Sequence, residues 1–270
     1  MAQKQLPAGI AVVTGAAGGM GAPSARQLFA AGFRRLLLCD VVADRLESVA
    51  APLRAAGAEV AILAGDISAA DYPDRLAAAL GDQPIAAVIH TAGISPTMGD
   101  GPRILEVNLD ATVRLVEVIR PRMAEGAAAV LFASMASHMP LGAEIDAAAA
   151  APLTPETLAA LRKFSATAQA AYPISKRAVR ALAAREATAF GARKARIVSL
   201  SPGLIDTGMG RAEFAAAAQT QVMLEKTPLQ RLGDPEELAS AAVFLCTPAA
   251  SYITGCDLKV DGGTTAALGL

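Results

Sequence analysis

The chain has 270 residues, with 24 Lys and Arg against 25 Asp and Glu, a formal net charge of -1, 53% hydrophobic residues, 4% aromatics and no Trp. That length suits one large α/β domain, and the near-neutral balance provides no basic field to attract a phosphate backbone, which argues against nucleic acid as a partner. The three cysteines, Cys39, Cys246 and Cys256, lack the paired spacing of a zinc site and read as reduced core residues in a reducing compartment, with no metal expected.

Residues 1–7 contain no basic stretch leading into an apolar run, and the longest apolar runs fall far short of the ~20 residues that span a bilayer. No membrane partner and a cytoplasmic location are expected. Short, nearly continuous apolar runs recur at 10–14, 36–40, 60–64, 86–90, 130–133, 197–200 and 257–260. Unbroken hydrophobicity, in place of strict alternation, predicts parallel strands buried on both faces and joined by right-handed helical crossovers.

The first run, Ile10-Ala11-Val12-Val13, leads into Thr14-Gly15-Ala16-Ala17-Gly18-Gly19-Met20-Gly21 and then into a helix-compatible stretch. Glycines let the backbone turn sharply and approach a pyrophosphate, and free N–H groups at a helix start face its charge. Gly15, Gly19 and Gly21, with Met20 between them, are the candidate positions. A bare glycine run reads equally as a tight turn without a ligand, but the second predicted strand ends in Asp40. A carboxylate there would accept hydrogen bonds from adenine-ribose hydroxyls and repel the extra phosphate of NADP. NAD is therefore the expected cofactor, while Arg45 keeps NADP open.

Farther along, Thr154-Pro155-Glu156 opens a helix whose Leu158, Leu161 and Phe164 share one face, and Asp234-Pro235-Glu236-Glu237 offers a capping box ahead of a helix through 239–245. No repeat or Gly/Ser linker divides the chain, so residues 1–270 read as a single domain, with the Ala-rich stretch 147–151 as a local insertion. Tyr172-Pro173-Ile174-Ser175-Lys176 sets a phenol and an ammonium one helical turn apart.

The glycine run and the Tyr172-x-x-x-Lys176 pair, in this order, resemble the short-chain dehydrogenase/reductase family. Further matches are Asp66-Ile67, Asn108 within Val107-Asn108-Leu109, Ser134, Pro202-Gly203 and Val260-Asp261-Gly262-Gly263, so the resemblance covers nearly the whole chain. It implies a Rossmann-type, doubly wound, seven-stranded parallel sheet with helices on both faces. It also implies an oxidoreductase that moves hydride between a nicotinamide cofactor and a secondary alcohol or ketone.

Ketone reduction requires an acid within hydrogen-bond reach of the carbonyl oxygen. A free phenol titrates near ~10, and a neighbouring ammonium favours the phenolate, so Tyr172 is expected to act as acid and base. By resemblance, Lys176 also holds the nicotinamide ribose, Ser134 orients the substrate oxygen and Asn108 positions a proton-relaying water. Asp66 and Ile67 would border the adenine, Pro202, Gly203 and Thr207 the nicotinamide, and Ala92 and Gly93 would also contact the cofactor. Met135 and Met209 join Ser134 and Tyr172 as substrate contacts.

The chain departs from the family in several places. The family's Asn-Ala-Ala-Gly-like turn reads His90-Thr91-Ala92-Gly93 here, and His90 is read as a structural hydrogen-bonding group in preference to a catalytic one. His138 has no assigned role. The usual double serine reads Ala133-Ser134, with Ser137 as the fallback. Ser134 and Tyr172 stand 38 residues apart, wider than the family's habit, so an insertion at 138–170, including Met139 and Leu141, is expected over the active site. With Met209, Phe214, Met223 and Leu224 of segment 204–226, it would form an apolar lid.

The insertion also resembles that of bacterial 3α-hydroxysteroid dehydrogenase/carbonyl reductases, which points to an apolar, cyclic or steroid-like substrate, with small aromatic ketones as the alternative. A non-enzymatic nicotinamide sensor would not need Ser134, Tyr172, Lys176 and Asn108 together, and a nucleotide-sugar epimerase would need a longer C-terminal part. A homo-oligomer, dimer or tetramer, is expected, with 266–270 as one contact.

Overall fold

Strands and helices alternate along the chain in the computed structural model, which describes residues 5–216 and 218–270, with the side chains of 213, 214, 216, 218 and 219 outside that description. The first half contains β1 (Ile10–Thr14), α1 (Gly21–Ala31), β2 (Arg35–Asp40), α2 (Ala43–Ala55), β3 (Glu59–Ala64), α3 (Tyr72–Leu80), β4 (Ile85–His90), α4 (Gly101–Leu105), α5 (Ala111–Ile119) and β5 (Met123–Phe132). The second half contains α6 (Ala143–Ala150), α7 (Pro155–Lys163), α8 (Ala168–Gly191), β6 (Arg196–Pro202), α9 (Gly208–Ala216), α10 (Ala218–Lys226), α11 (Pro235–Cys246), β7 (Asp257–Val260) and α12 (Thr264–Ala267).

The strands pair in parallel in the order β3-β2-β1-β4-β5-β6-β7. This is the doubly wound, seven-stranded sheet that the family resemblance implies, built from the parallel strands that the apolar runs predict. Successive residues of β1 divide between two cores: Ile10 and Val12 face α3, α4, α5 and α8, whereas Ala11 and Val13 face α1, α2 and α11. Cover on both faces is why the central strands show no polar alternation.

The two edges differ from that expectation. β3 is partly exposed along its length, with Ile62 at 36%, and β7 is mostly half-buried. An edge strand has a neighbour on one side only, and an apolar run does not reveal which strands stand at an edge. The same position overturns one cysteine expectation: Cys39 and Cys246 are buried, but Cys256, just ahead of β7, is exposed.

Local signals explain several helix ends. Asp234 and Glu237 form the capping box of α11, and Thr154 caps α7 by accepting from the Thr157 N–H at 3.3 Å. α4 and α5 are continuous through a π-helical turn at Glu106–Asp110, a local widening that often marks functional positions. No helix among the described residues is long and apolar enough to cross a membrane.

Candidate active site

The sheet order reverses at β1, which lies between β2 and β4, and in such sheets ligands bind beyond the strand C-termini at that reversal. Gly15 follows β1 there with φ +67°, and a Cβ on it would stand 2.7 Å from the Ala92 N of the turn after β4. A Cβ on Gly21 would lie 2.0 Å from the Gly15 carbonyl oxygen, so both positions require glycine. Gly19 packs against the Thr207 side chain. The N-terminus of α1 has no side-chain cap and no acidic residue in its first turn, so no carboxylate opposes an anion there; within that turn the Ala22 N–H already donates to the Gly18 carbonyl at 3.1 Å and Pro23 has no N–H.

A groove of about 620 Å³ runs from this turn, lined among others by Gly15, Gly19, Met20, Asp40, Arg45, Asp66, Ile67, Ala92, Gly93 and Thr207. Its shape and donors fit a dinucleotide. Asp40 accepts from the Ala17 N–H at 2.9 Å and the Val41 N–H at 2.7 Å. Asp66 accepts from the Ser68 N–H at 2.9 Å and hydroxyl at 2.7 Å, and pairs with Arg103 of α4. Burial opposes its charge, but the hydrogen bonds from Ser68 and Arg103 prevail and hold its pKa below the usual carboxylate value. Arg103 went unrecognised in the sequence because its partner lies on a different element.

At the other end of the groove, Lys176 is buried and donates to the Phe132 carbonyl at 3.0 Å. Its Nζ stands 5.9 Å from the centroid of the Tyr172 ring on the same helix, α8. Asn108 sits in the π-helical turn, accepts from the Ile94 N–H at 2.8 Å and donates to the Ile94 carbonyl at 2.9 Å. It is buried and lies behind Gly93 without lining the cavity: a Cβ on Gly93 would meet Asn108 Oδ1 at 3.1 Å and Lys176 Nζ at 3.3 Å.

Ser134, Tyr172 and Lys176 meet in a second cavity of about 200 Å³, which also takes in Met20, Met135, Met139, Pro202, Gly203, Thr207, Met209 and Met223. Met20, Gly93, Thr207 and Met209 border both spaces, so groove and cavity form one cleft. Ser137, the fallback serine, is fully buried, does not line the cavity, and its hydroxyl lacks a hydrogen-bond partner among the described residues.

The insertion touches the cavity at one residue. Of residues 138–170 only Met139 lines the cavity; Ala149 and Leu161 are buried in the core shared with α5 and α8, and Arg162 pairs with Asp110. Met209, Thr220 and Met223 supply the outer wall. Leu224 does not line the cavity, and the Phe214 side chain lies outside the described residues.

The histidines are both engaged. His90 Nδ1 is 2.6 Å from Thr14 Oγ1, and its Nε2 is 2.8 Å from Thr112 Oγ1. The Thr112 hydroxyl already donates to the Asn108 carbonyl at 2.7 Å, so it accepts from Nε2–H, and Nδ1 accepts from Thr14. Burial, with the Lys176 charge, pushes the His90 pKa down to about 3. His138 bonds to Asp257 and Arg180; burial, helped by Arg180, lowers its pKa against the pull of Asp257.

Comparison with known proteins agrees along the chain. The family profile described as "short chain dehydrogenase" matches residues 9–150, and that described as "Enoyl-(Acyl carrier protein) reductase" matches residues 147–265. Galactitol 2-dehydrogenase (L-tagatose-forming) of Cereibacter sphaeroides is 34% identical, over 97% of this chain and 96% of that protein. The 7alpha-hydroxysteroid dehydrogenase of Escherichia coli is 28% identical, over 94% of this chain and 92% of that protein. Among solved structures, the Pseudomonas aeruginosa RhlG/NADP active-site complex superposes with a TM-score of 0.75 at 25% identity, over 96% of this chain and 97% of that one.

Proposed function

The chain belongs to the short-chain dehydrogenase/reductase family, and from that membership we propose that it moves hydride between NAD(H) and a secondary alcohol or ketone of apolar, cyclic, steroid-like shape. The observation that carries this reading is the cavity in which Ser134, Tyr172 and Lys176 face a wall rich in methionine and aliphatic side chains. A polyol such as the galactitol of one relative would leave several hydroxyls unpaired against that wall, at about 1–3 kcal/mol each. The hydroxysteroid relative supports a large apolar ring.

Under this reading Tyr172 gives and takes the proton at the substrate oxygen, Ser134 holds that oxygen, and Lys176 favours the phenolate and binds the nicotinamide ribose. Asn108 positions the water that carries the proton onward. Gly15, Gly19, Met20 and Gly21 receive the pyrophosphate, Asp66 and Ile67 border the adenine, and Ala92, Gly93, Pro202, Gly203 and Thr207 flank the nicotinamide half. The dinucleotide, when bound, supplies or takes the hydride. Met135 and Met209 contact the apolar part of the substrate.

Asp40 supports NAD: its two bonded N–H groups leave lone pairs for ribose hydroxyls, and its charge disfavours a 2′-phosphate. Arg45 borders the same groove, and the NADP-bound neighbour keeps NADP as the second reading. A homo-oligomer, dimer or tetramer, is part of the proposal and is decided by light scattering.

The test follows absorbance of reduced nicotinamide with NAD or NADP and a panel of steroid, cyclic, aromatic and polyol alcohols, beside Tyr172→Phe. Turnover of apolar cyclic alcohols with NAD, lost in the variant while NADH still binds, supports the reading. Undiminished turnover by the variant overturns the role of Tyr172, and preference for polyols overturns the substrate class.

A further inference from the structure

We propose that His138 is a positioning residue, clasping the substrate-facing turn to the helix that carries Tyr172 and Lys176; the inference rests on the functional reading above. The turn at 134–139 gives the cavity Ser134, Met135, Ala136 and Met139, and between them Ser137 and His138 turn away from it. The His138 side chain is 9% exposed.

Proton placement follows from the partners. Arg180 Nη1 stands 2.5 Å from His138 Nδ1, with Nε2 farther away at 3.2 Å. Asp257 Oδ2, 2.9 Å from Nε2, only accepts, so the single ring proton of the neutral imidazole sits on Nε2, while Arg180, within reach of both ring nitrogens, lies against the ring. That proton is donated to Asp257 Oδ2 at 2.9 Å. The other carboxylate oxygen of Asp257 accepts from Ser199 at 2.6 Å and Ser201 at 3.0 Å, which ties the turn to β6 and β7 as well as to α8.

A second strap runs alongside. Arg177 donates to the Ser137 carbonyl and to the Met139 carbonyl, the latter at 2.6 Å, and pairs with Asp146 of α6. Lys176, Arg177 and Arg180 belong to α8, so the helix bearing the reacting pair also holds the cavity wall. The wall is thereby ordered before the substrate arrives, so that the cost of ordering it does not fall on substrate binding.

The experiment compares His138→Ala and His138→Gln with the unaltered enzyme by hydrogen-exchange mass spectrometry of the segment 134–141, by steady-state kinetics on the best ketone, and by NADH titration. With the charge-assisted bonds gone, His138→Ala is expected to exchange this segment about tenfold faster and to raise KM about tenfold, with kcat and NADH affinity unchanged within about twofold. Gln can both donate to Asp257 and accept from Arg180, so His138→Gln is expected to restore protection and KM. Unchanged exchange in His138→Ala, an unchanged KM, or no recovery with Gln overturns the clasp. If His138→Ala does not fold, Arg180→Met, which keeps the Asp257 bond, carries the same expectation. If the unaltered enzyme turns over no ketone, the functional reading fails, and the exchange result alone decides for or against the clasp.

Discussion

Asp40 and Ala17 are joined across the mouth of the dinucleotide groove: the Ala17 N–H donates to Asp40 Oδ2 at 2.9 Å. The carboxylate thus shapes the glycine turn as well as lining the groove. Asp40→Ala is expected to weaken NADH binding on the order of tenfold to a hundredfold, since a hydrogen bond to a charged group contributes about 1.5–3 kcal/mol. NADPH affinity is expected to gain less than removal of a repelling charge alone would give, because the turn that receives the pyrophosphate loosens as well. Calorimetric titration of both reduced dinucleotides checks this; a clean exchange of preference, with NADPH bound as tightly as NADH had been, would contradict the structural half of the role.

Gly93 separates the groove from Asn108 and Lys176. A Cβ there would press on Asn108 Oδ1 at 3.1 Å and on Lys176 Nζ at 3.3 Å, distances that oblige one neighbour to shift. Lys176 is held at 3.0 Å by the Phe132 carbonyl, so its displacement disturbs the ammonium beside Tyr172. Gly93→Ala is expected to fold and to lose turnover by about tenfold or more, the loss appearing in kcat because it falls on groups that act in the transition state. Thermal unfolding together with kcat and KM checks it; an intact kcat would show that the ammonium tolerates the crowding.

Much of this arrangement was legible in the residues, and the failures share a cause. The glycine turn, the Tyr172–Lys176 pair and the apolar runs are local patterns, each stating its own geometry through spacing alone. Ser134, chosen from the end of the fifth run, lines the cavity and Ser137 does not, although β5 begins at Met123, ahead of the expected run. What depends on tertiary neighbours was not legible. Ile62 is exposed because β3 is an edge, the insertion lies along α8 because Ala149 and Leu161 find the core there, and α6 was read only as an Ala-rich stretch, its alanines giving no periodic contrast. Arg177, Arg180 and, in its bond to Asp66, Arg103 find partners far away in sequence, where no spacing rule reaches.

His90 sets a pH dependence of stability. Its folded pKa is about 3, against an ordinary histidine value near 6.5, so between those limits the unfolded chain binds a proton that the folded chain refuses. Stability from this group is full above about pH 6.5 and falls as the pH drops, by up to about 1.4 kcal/mol per pH unit, until the folded value is reached. His90→Asn, which carries a donor and an acceptor without titrating, is expected to flatten the dependence. Urea unfolding of both proteins between pH 7.5 and pH 5 checks this, the difference between them removing the contribution of the carboxylates and of His138. Parallel curves would mean that the proton enters without breaking the bonds to Thr14 and Thr112.

The insertion separates stability from substrate choice, and two substitutions test that division. Met139 alone of residues 138–170 lines the cavity, so Met139→Ala enlarges the space beside Ser134 without opening the core. It is expected to shift the preference, measured as kcat/KM, toward bulkier ketones by roughly tenfold, the scale that one or two methylene contacts command. Leu161 of α7 is fully buried against the other face, and Leu161→Ala leaves a cavity there that costs about 2–5 kcal/mol. Its unfolding midpoint is therefore expected to fall while kcat/KM ratios across the ketone panel stay unchanged. A Leu161→Ala enzyme with altered selectivity would mean that α6 and α7 reach the substrate, as the lid suggested by the chain length between Ser134 and Tyr172 would.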